Sequence, residues 1–229
     1  MASEYDKISV AYDEAMGKKY LNVYLDALKD DAENTEPNGL RVLDLGCGTG
    51  TLLSLISRNN RTVGIDISPE MVSFARRKDP HTTYIVGDIT DFHLDEKFDY
   101  VFCTFDTINH LKDFESWKKT FSLVSQHLEE GGKLMFDFNT VEKFHRIDRK
   151  TLTTDLSVGT LTMKTTLIRE NQCRWDMTLR INGQESTATI TEISFSTDTV
   201  LSALKKLFTE VKTTSGSDKE DRIFITAIK

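Results

Sequence analysis

At 229 residues with 38% hydrophobic content, the chain is long enough to bury one sizeable core, since a single domain can run to about 250 residues. No apolar run approaches the ~20 residues needed to cross a bilayer, and residues 1–30 are mixed and charged, unlike a secretory signal. A net charge of −7, acidic clusters at Asp30-Asp31-Ala32-Glu33 and Asp95-Glu96, and no basic arm disfavour a nucleic-acid partner, while three widely spaced cysteines (Cys47, Cys103, Cys173) fit neither a disulfide framework nor a zinc site. The expectation is a cytoplasmic protein.

Residues 4–28 place Met16, Tyr20, Val23, Tyr24 and Ala27 at helical spacing, predicting an amphipathic helix or helix pair within an N-terminal cap over residues 1–38. Asn34 to Gly39, containing Pro37, is a polar turn. Val42 to Leu45 reads as a short buried strand carrying Asp44, followed by Gly46, Gly48 and Gly50 at every second position and a helix over about 51–58. Arg61 to Ile65 is a second strand closed by Asp66, and Ser68-Pro69-Glu70 opens a helix over 69–78 with a capping hydroxyl and proline at the first helical position. Thr82 to Gly87 is a third strand, ending at Asp88-Ile89. Phe98 to Thr104 is a fourth, then a helix near Ser116 to Leu128 shows Trp117, Phe121, Val124 and Leu128 on one face. Gly131-Gly132 is expected to end that helix before a fifth strand, Lys133 to Phe138. Strands alternating with helices predict a parallel sheet.

After the fifth strand the pattern becomes threonine-rich and alternating. Leu161, Met163, Thr165 and Leu167, then Trp175, Met177, Leu179 and Ile181, predict two or three antiparallel strands over 151–195, with turns at Asn171-Gln172 and Asn182-Gly183. Such strands do not fit inside a parallel sheet, so they form a separate flap, for substrate cover or for pairing its edges in a homodimer. A helix near Ser196 or Thr197 packs through Val200, Leu201 and Leu204, and an antiparallel hairpin closes the chain over Phe208 to Thr214 and Arg222 to Lys229. The domain reading is therefore residues 1–150 and 196–229 as one unit and residues 151–195 as the flap.

The loop Asp44-Leu45-Gly46-Cys47-Gly48-Thr49-Gly50 fits neither the dinucleotide fingerprint nor the P-loop, and it has no lysine to meet a phosphate. It resembles motif I of class I S-adenosylmethionine-dependent methyltransferases. Asp66, 20 residues after Gly46, stands where a Rossmann-like fold bonds ribose hydroxyls. The resemblance implies S-adenosyl-L-methionine as cofactor and an α/β, Rossmann-like, seven-stranded sheet in the order 3-2-1-4-5-7-6 with the last strand antiparallel. It also implies a cofactor site of Asp44, Gly46, Cys47, Gly48 and Gly50, Asp66 with Ile67, and Asp88 with Ile89, Asp88 accepting from the adenine amino group. Met71 and Phe105 then pack near the adenine and methionine portions.

The run from Phe98 to Leu111 is similar to the fourth motif of small-molecule methyltransferases, in particular the glycine N-methyltransferase-like and amino-sugar N,N-dimethyltransferase group, as are Tyr12-Asp13 and Gly17-Lys18-Lys19-Tyr20. Methyl transfer needs an aligned nucleophile and exclusion of water, and an amine must be neutral when it attacks. His110, just after the fourth strand, is the candidate base, set against the plainer reading of a histidine that bonds its own loop. Tyr12 and Tyr20 are candidates to fold over the cofactor or the nucleophile. His81, His93, His127 and His145 have no metal-ligand spacing and read as surface or capping residues, and Arg76-Arg77-Lys78 reads as a solvated face. The leading expectation is methyl transfer to nitrogen or oxygen of a small molecule. A tRNA or protein substrate, and a non-catalytic cofactor-binding module, are the competing readings.

Overall fold

The computed structural model describes residues 3–16, 21–31, 37–215 and 221–229. A 3-10 turn over Glu4–Lys7 and helices α1 (Ser9–Met16) and α2 (Leu21–Asp31) precede β1 (Arg41–Leu45), α3 (Thr51–Ser54), β2 (Arg61–Asp66), α4 (Pro69–Lys78), β3 (Thr83–Val86) and β4 (Phe98–Cys103). A second 3-10 turn (Thr107–His110), α5 (Phe114–His127), β5 (Leu128–Asn139) and α6 (Val141–Ile147) lead into β6 (Thr151–Leu156), β7 (Gly159–Arg169), β8 (Gln172–Ile181) and β9 (Gln184–Ile193). The described chain closes with α7 (Thr197–Leu204), β10 (Glu210–Ser215) and β11 (Arg222–Ile228).

The main sheet runs β10-β11-β5-β4-β1-β2-β3, with β3, β2, β1, β4 and β5 parallel and β11 antiparallel to both its neighbours. This is the order expected from the sequence. Its strands are apolar on both faces because helices cover both, so Leu43, Val101 and Phe136 are buried on one side and Val42, Phe102 and Met135 on the other. Burying a side chain of this size contributes about 1.5–3 kcal/mol. Helix α2 reaches the sheet through Leu21, Tyr24 and Leu28, while Val23, expected on that face, is 39% exposed.

Several boundaries differ from expectation. Helix α3 ends at Ser54 because Asn60 captures the chain: its amide donates to the carbonyls of Ile56 and Pro37 and accepts from Leu40 N–H, which favours turns over 55–60. Gly131-Gly132 does not end α5. That helix stops at His127, and the glycines form an irregularity inside β5, where Gly131 has φ +78. Helix α6, absent from the sequence reading, starts on a Thr140 side-chain cap and buries Phe144.

The flap is a sheet of four antiparallel strands, β6-β7-β8-β9, rather than two or three, and the Asn182-Gly183 turn has φ +50 and +79 as a type I′ hairpin needs. Its apolar face, Leu161, Met163, Met177, Leu179, Ala188 and Ile190, packs on Ile8 and Ala11 of the N-terminal segment. The cap is thereby bound to the flap as well as to the main sheet.

Candidate active site

The glycine loop follows β1 with Gly46 at φ +72 and Gly48 at φ +53, a left-handed backbone that glycine adopts at little cost. The amides of Gly46 and Cys47 both donate to the Ile65 carbonyl at 2.7 and 3.0 Å, which fixes the loop beside the end of β2. Asp66 completes the tie: its carboxylate accepts from Gly48 N–H and Ser68 N–H, each at 2.8 Å. Burial raises the Asp66 carboxyl above its ordinary pKa despite those bonds. Asp44, 1% exposed, has an Oδ1 with no hydrogen-bond partner, and burial followed by the nearby Asp66 charge pushes its carboxyl well up.

Two lobes of one cleft meet at Tyr12, Gly46, Gly48 and Phe105. The first contains Asp44, Cys47 and Thr104; the second contains Asp66, Ile67, Met71, Asp88 and Ile89 and runs on to His110. Of the expected site residues, all of these therefore lie on a single cleft. Gly50 does not line it. A Cβ there would fall 2.3 Å from Tyr84 Oη of β3 and 3.0 Å from Ala75 Cβ of α4, so the close packing of the loop against both elements requires glycine at this position. Tyr20, with Gly17-Lys18-Lys19, lies outside the described residues.

Residues 3–16 form a strap across the cleft. Asp13 accepts hydrogen bonds from Thr49, from Thr51 at 3.1 Å and from the Lys78 ammonium, so Lys78 belongs to a loop contact rather than to a solvated face. Arg76 likewise turns back, donating to the Tyr84 carbonyl at 2.7 Å. Asp6 accepts from Ser68 Oγ at the start of α4, while Glu4 accepts from Thr189 N–H at 3.0 Å and Glu14 from Ser157 N–H at 2.6 Å on the flap.

At the far end of the second lobe, Tyr5 Oη lies 3.0 Å from His110 Nε2, and the Tyr5 ring sits edge-on to those of Tyr12 and His110 with centroids 5.6 and 5.5 Å away. Burial lowers the His110 pKa below its ordinary 6.5, Asp106 opposing and Arg222 adding to that shift. Burial raises both tyrosines, so Tyr5 and Tyr12 are neutral phenols. His110 follows a turn in which Phe105 and Asp106 both have positive φ, +55 and +52. Asp137 holds that turn by accepting from the amides of Phe105 and Asp106 at 2.8 and 3.0 Å. Arg222 bonds Asp137 with one guanidinium nitrogen and Asp106 with another, and with Lys143 and His110 it brings the Asp106 carboxyl below its ordinary pKa against the effect of burial.

Asn139 Nδ2 donates to Asp106 at 2.9 Å and to Glu192 at 2.8 Å. Asp106, His110 and Glu192 bring one ligand-type atom each within 4.8 Å of one another, although Arg222 already holds Asp106 Oδ1. Tyr5, Asp106, Asn139, Glu192 and Arg222 were not singled out from sequence. Glu192 alone left a signal there, an acid in the inward-facing phase of a strand otherwise occupied by Ala188 and Ile190. Among the other histidines, His127 is a buried brace, linking Leu94 N–H and the Leu123 carbonyl, and not a surface residue.

Residues 42–132 match the family described as a methyltransferase domain. The chain is 32% identical over 122 residues to dTDP-3-amino-3,4,6-trideoxy-alpha-D-glucopyranose N,N-dimethyltransferase of Streptomyces venezuelae, covering 53% of this chain and 51% of that protein. It is 38% identical over 76 residues to dTDP-3-amino-3,6-dideoxy-alpha-D-glucopyranose N,N-dimethyltransferase of Streptomyces fradiae, covering 33% and 30%. The chain thus spans about half the length, or less, of these curated relatives. Its fold is shared with a S-adenosylmethionine-dependent methyltransferase from Clostridium acetobutylicum at a TM-score of 0.80 and 21% identity, over 98% of both chains. A SAM-bound amino pentose methyltransferase from Micromonospora echinaspora gives a TM-score of 0.73 at 22% identity over 90% of this chain and 91% of that one.

Proposed function

We propose that this protein is a S-adenosylmethionine-dependent methyltransferase acting on an amine nitrogen of a small-molecule acceptor. The observation that carries the reading is the continuity of the cleft, with the glycine loop, Asp66 and Asp88 at one end and the Tyr5–His110 pair at the other. S-adenosylmethionine supplies a sulfonium methyl that is electrophilic without further activation. The residues present fit it: Asp66 and Asp88 would accept from ribose and adenine, Gly48 leaves room for backbone approach, and the unsatisfied Asp44 Oδ1 would accept from an ammonium group.

The chain's own residues then have to exclude water and manage one proton. The strap and flap strand β9 wall the cleft, Thr189, Ile190 and Thr191 lining it beside His110. Neutral His110, steadied by Tyr5, takes a proton from the acceptor amine. Because its pKa is lowered, the imidazole is already the free base at neutral pH, and kcat/KM is expected to fall on the acid side with a midpoint below 6.5.

Calorimetry with S-adenosylmethionine and its demethylated product, followed by methyl-transfer assays on amino sugars and other small amines, tests the reading. Binding of neither molecule would sink it. Asp66→Ala is expected to weaken binding by about 10- to 100-fold, since bonds to a charged group are worth about 1.5–3 kcal/mol. His110→Gln is expected to lower kcat by about 100-fold with cofactor affinity unchanged.

Residues 151–195 serve in this reading as the acceptor-covering flap of a domain made of residues 1–150 and 196–229. A homodimer through the flap is supported by β6, an edge strand whose Leu152 is 57% exposed, and is tested by light scattering on the purified protein. A cytoplasmic setting is supported by three free, buried cysteines.

A further inference from the structure

We infer that ligand capture at the glycine loop is a proton exchange: Asp44 rests as the neutral acid in the free protein and gives its proton to solvent when an ammonium group docks beside it. The inference rests on the reading of the cleft as a S-adenosylmethionine site and adds to it a dependence of cofactor affinity on pH. Ladder pairing holds the residue inside the sheet from both sides, Asp44 facing Gly64 of β2 and Phe102 of β4. It is only 1% exposed and its Oδ1 has no partner, yet it lines the first lobe of the cleft. A carboxylate buried there without a counter-charge is too costly to persist, and such a group takes up a proton instead.

The groups that face it supply no compensation. Asp66 at the end of β2 opposes its ionisation, and because Asp66 accepts from two amides where Asp44 Oδ1 accepts from none, Asp66 ionises first. Cys47 in the loop, Tyr84 on β3 and Cys103 on β4 are pushed up by burial and stay neutral. From α1, Tyr12 is a neutral phenol and Asp13 is ionised in its pair with Lys78. Lys78 is the one cation among the described residues of that lobe, and it is engaged in the strap contact: its Nζ donates to Asp13, to Thr51 at 2.8 Å and to Thr49 at 3.0 Å.

S-adenosylmethionine and its demethylated product both carry an α-ammonium. When that group meets Oδ1, the O–H bond of Asp44 breaks, the proton leaves to solvent, and the carboxylate so formed accepts an N–H of the ammonium. One positive and one negative charge then close as a pair, and neither is buried alone. Because the complex holds one proton fewer than its separate partners, affinity rises about tenfold for each pH unit, up to the pH at which Asp44 ionises in the free protein. Cofactor and product are both held more loosely in acid. 5′-Methylthioadenosine keeps the adenosyl group without the ammonium, so it has nothing to exchange for the proton.

Calorimetry of the demethylated product at about pH 7, run in phosphate and in Tris as buffers of small and large ionisation enthalpy, is expected to give heats that differ by the equivalent of about one proton released. 5′-Methylthioadenosine is expected to bind with no such difference, since it meets Asp66 and Asp88 but not Asp44. Asp44→Asn keeps the size and cannot ionise; it is expected to bind the product at least about tenfold more weakly at about pH 8, without buffer dependence, and 5′-methylthioadenosine as the wild type does. Product binding with no proton released from the wild type overturns the inference. Equal release with 5′-methylthioadenosine also overturns it, because the proton then comes from Asp66. Should Asp44→Asn fail to fold, the two ligands on the wild-type protein decide between these outcomes. Binding of neither ligand overturns the S-adenosylmethionine reading itself, a result distinct from binding without proton release. Turnover is not measured, so the acid-side loss assigned to His110 does not enter.

Discussion

Replacing Arg222 with methionine is expected to lower the unfolding free energy by about 3–5 kcal/mol. Its side chain is 9% exposed and its guanidinium is divided between Asp106 and Asp137, whose side chain is fully buried. Removing one partner of a buried pair leaves the other charge without compensation, and here two carboxylates are left. The damage reaches the chemistry because Asp137 also accepts from the amides of Phe105 and Asp106 and from the Tyr24 hydroxyl. Two consecutive non-glycine residues at positive φ cost about 1–3 kcal/mol each and persist only where the surroundings hold them. Without Arg222 the Asp137 carboxylate holds both amides with its buried charge uncompensated, and the turn that delivers His110 loses the ion pair that fastens it to β11. Urea denaturation and single-turnover methyl transfer check the two halves of this expectation. Arg222→Met combined with Asp106→Asn should recover part of the lost stability, and a loss below about 1 kcal/mol in the single variant would contradict the argument.

The glycine-loop end of the cleft was legible as a set of neighbouring strand ends because each of its parts is local in the chain. Asp44, Asp66 and Asp88 each close or end a strand whose apolar run is visible by itself, and the glycine spacing marks the loop between strand and helix. The sheet order followed from the resemblance those residues carried. The His110 end is assembled from Tyr5, Asp106, His110, Asn139, Glu192 and Arg222, which lie on six separate elements or turns. Only tertiary structure decides that Arg222 faces Asp106 rather than solvent, and no spacing rule reports it. The same applies to Lys78, whose partner Asp13 is 65 residues away and converts an apparent surface cation into part of the strap. Gly131-Gly132 misled for a different reason: glycine permits both a helix stop and an irregular strand, and the pairing of Leu128 with Phe98 selects the second.

The glycine loop yields a prediction that separates folding from binding. Gly46→Ala is expected to destabilise the fold, whereas Gly48→Ala is expected to fold and to lose cofactor affinity. At Gly46 a Cβ would fall 2.3 Å from Thr107 Cγ2 and 2.7 Å from its Oγ1, and Thr107 cannot easily give way because that hydroxyl donates to the Thr104 carbonyl at 2.8 Å. Left-handed backbone costs a non-glycine residue about 1–2 kcal/mol and overpacking about 1–3 more, so a loss of roughly 2–5 kcal/mol follows. The second 3-10 turn, and His110 with it, must shift to make room. At Gly48 the nearest atom to a Cβ would be Tyr12 Cε1 at 3.8 Å, ordinary contact distance, so stability falls only by the roughly 1–2 kcal/mol of the backbone term. That methyl stands between Gly48 and Tyr12, both of which line the cleft on its two lobes, and there it would exclude the ligand from the backbone. Thermal denaturation and calorimetry on both variants give the comparison, with at least about tenfold weaker binding expected for Gly48→Ala, or 1.4 kcal/mol. Wild-type affinity in a folded Gly48→Ala protein would remove the glycine loop from the binding site, whatever Asp66 and Asp88 were found to do.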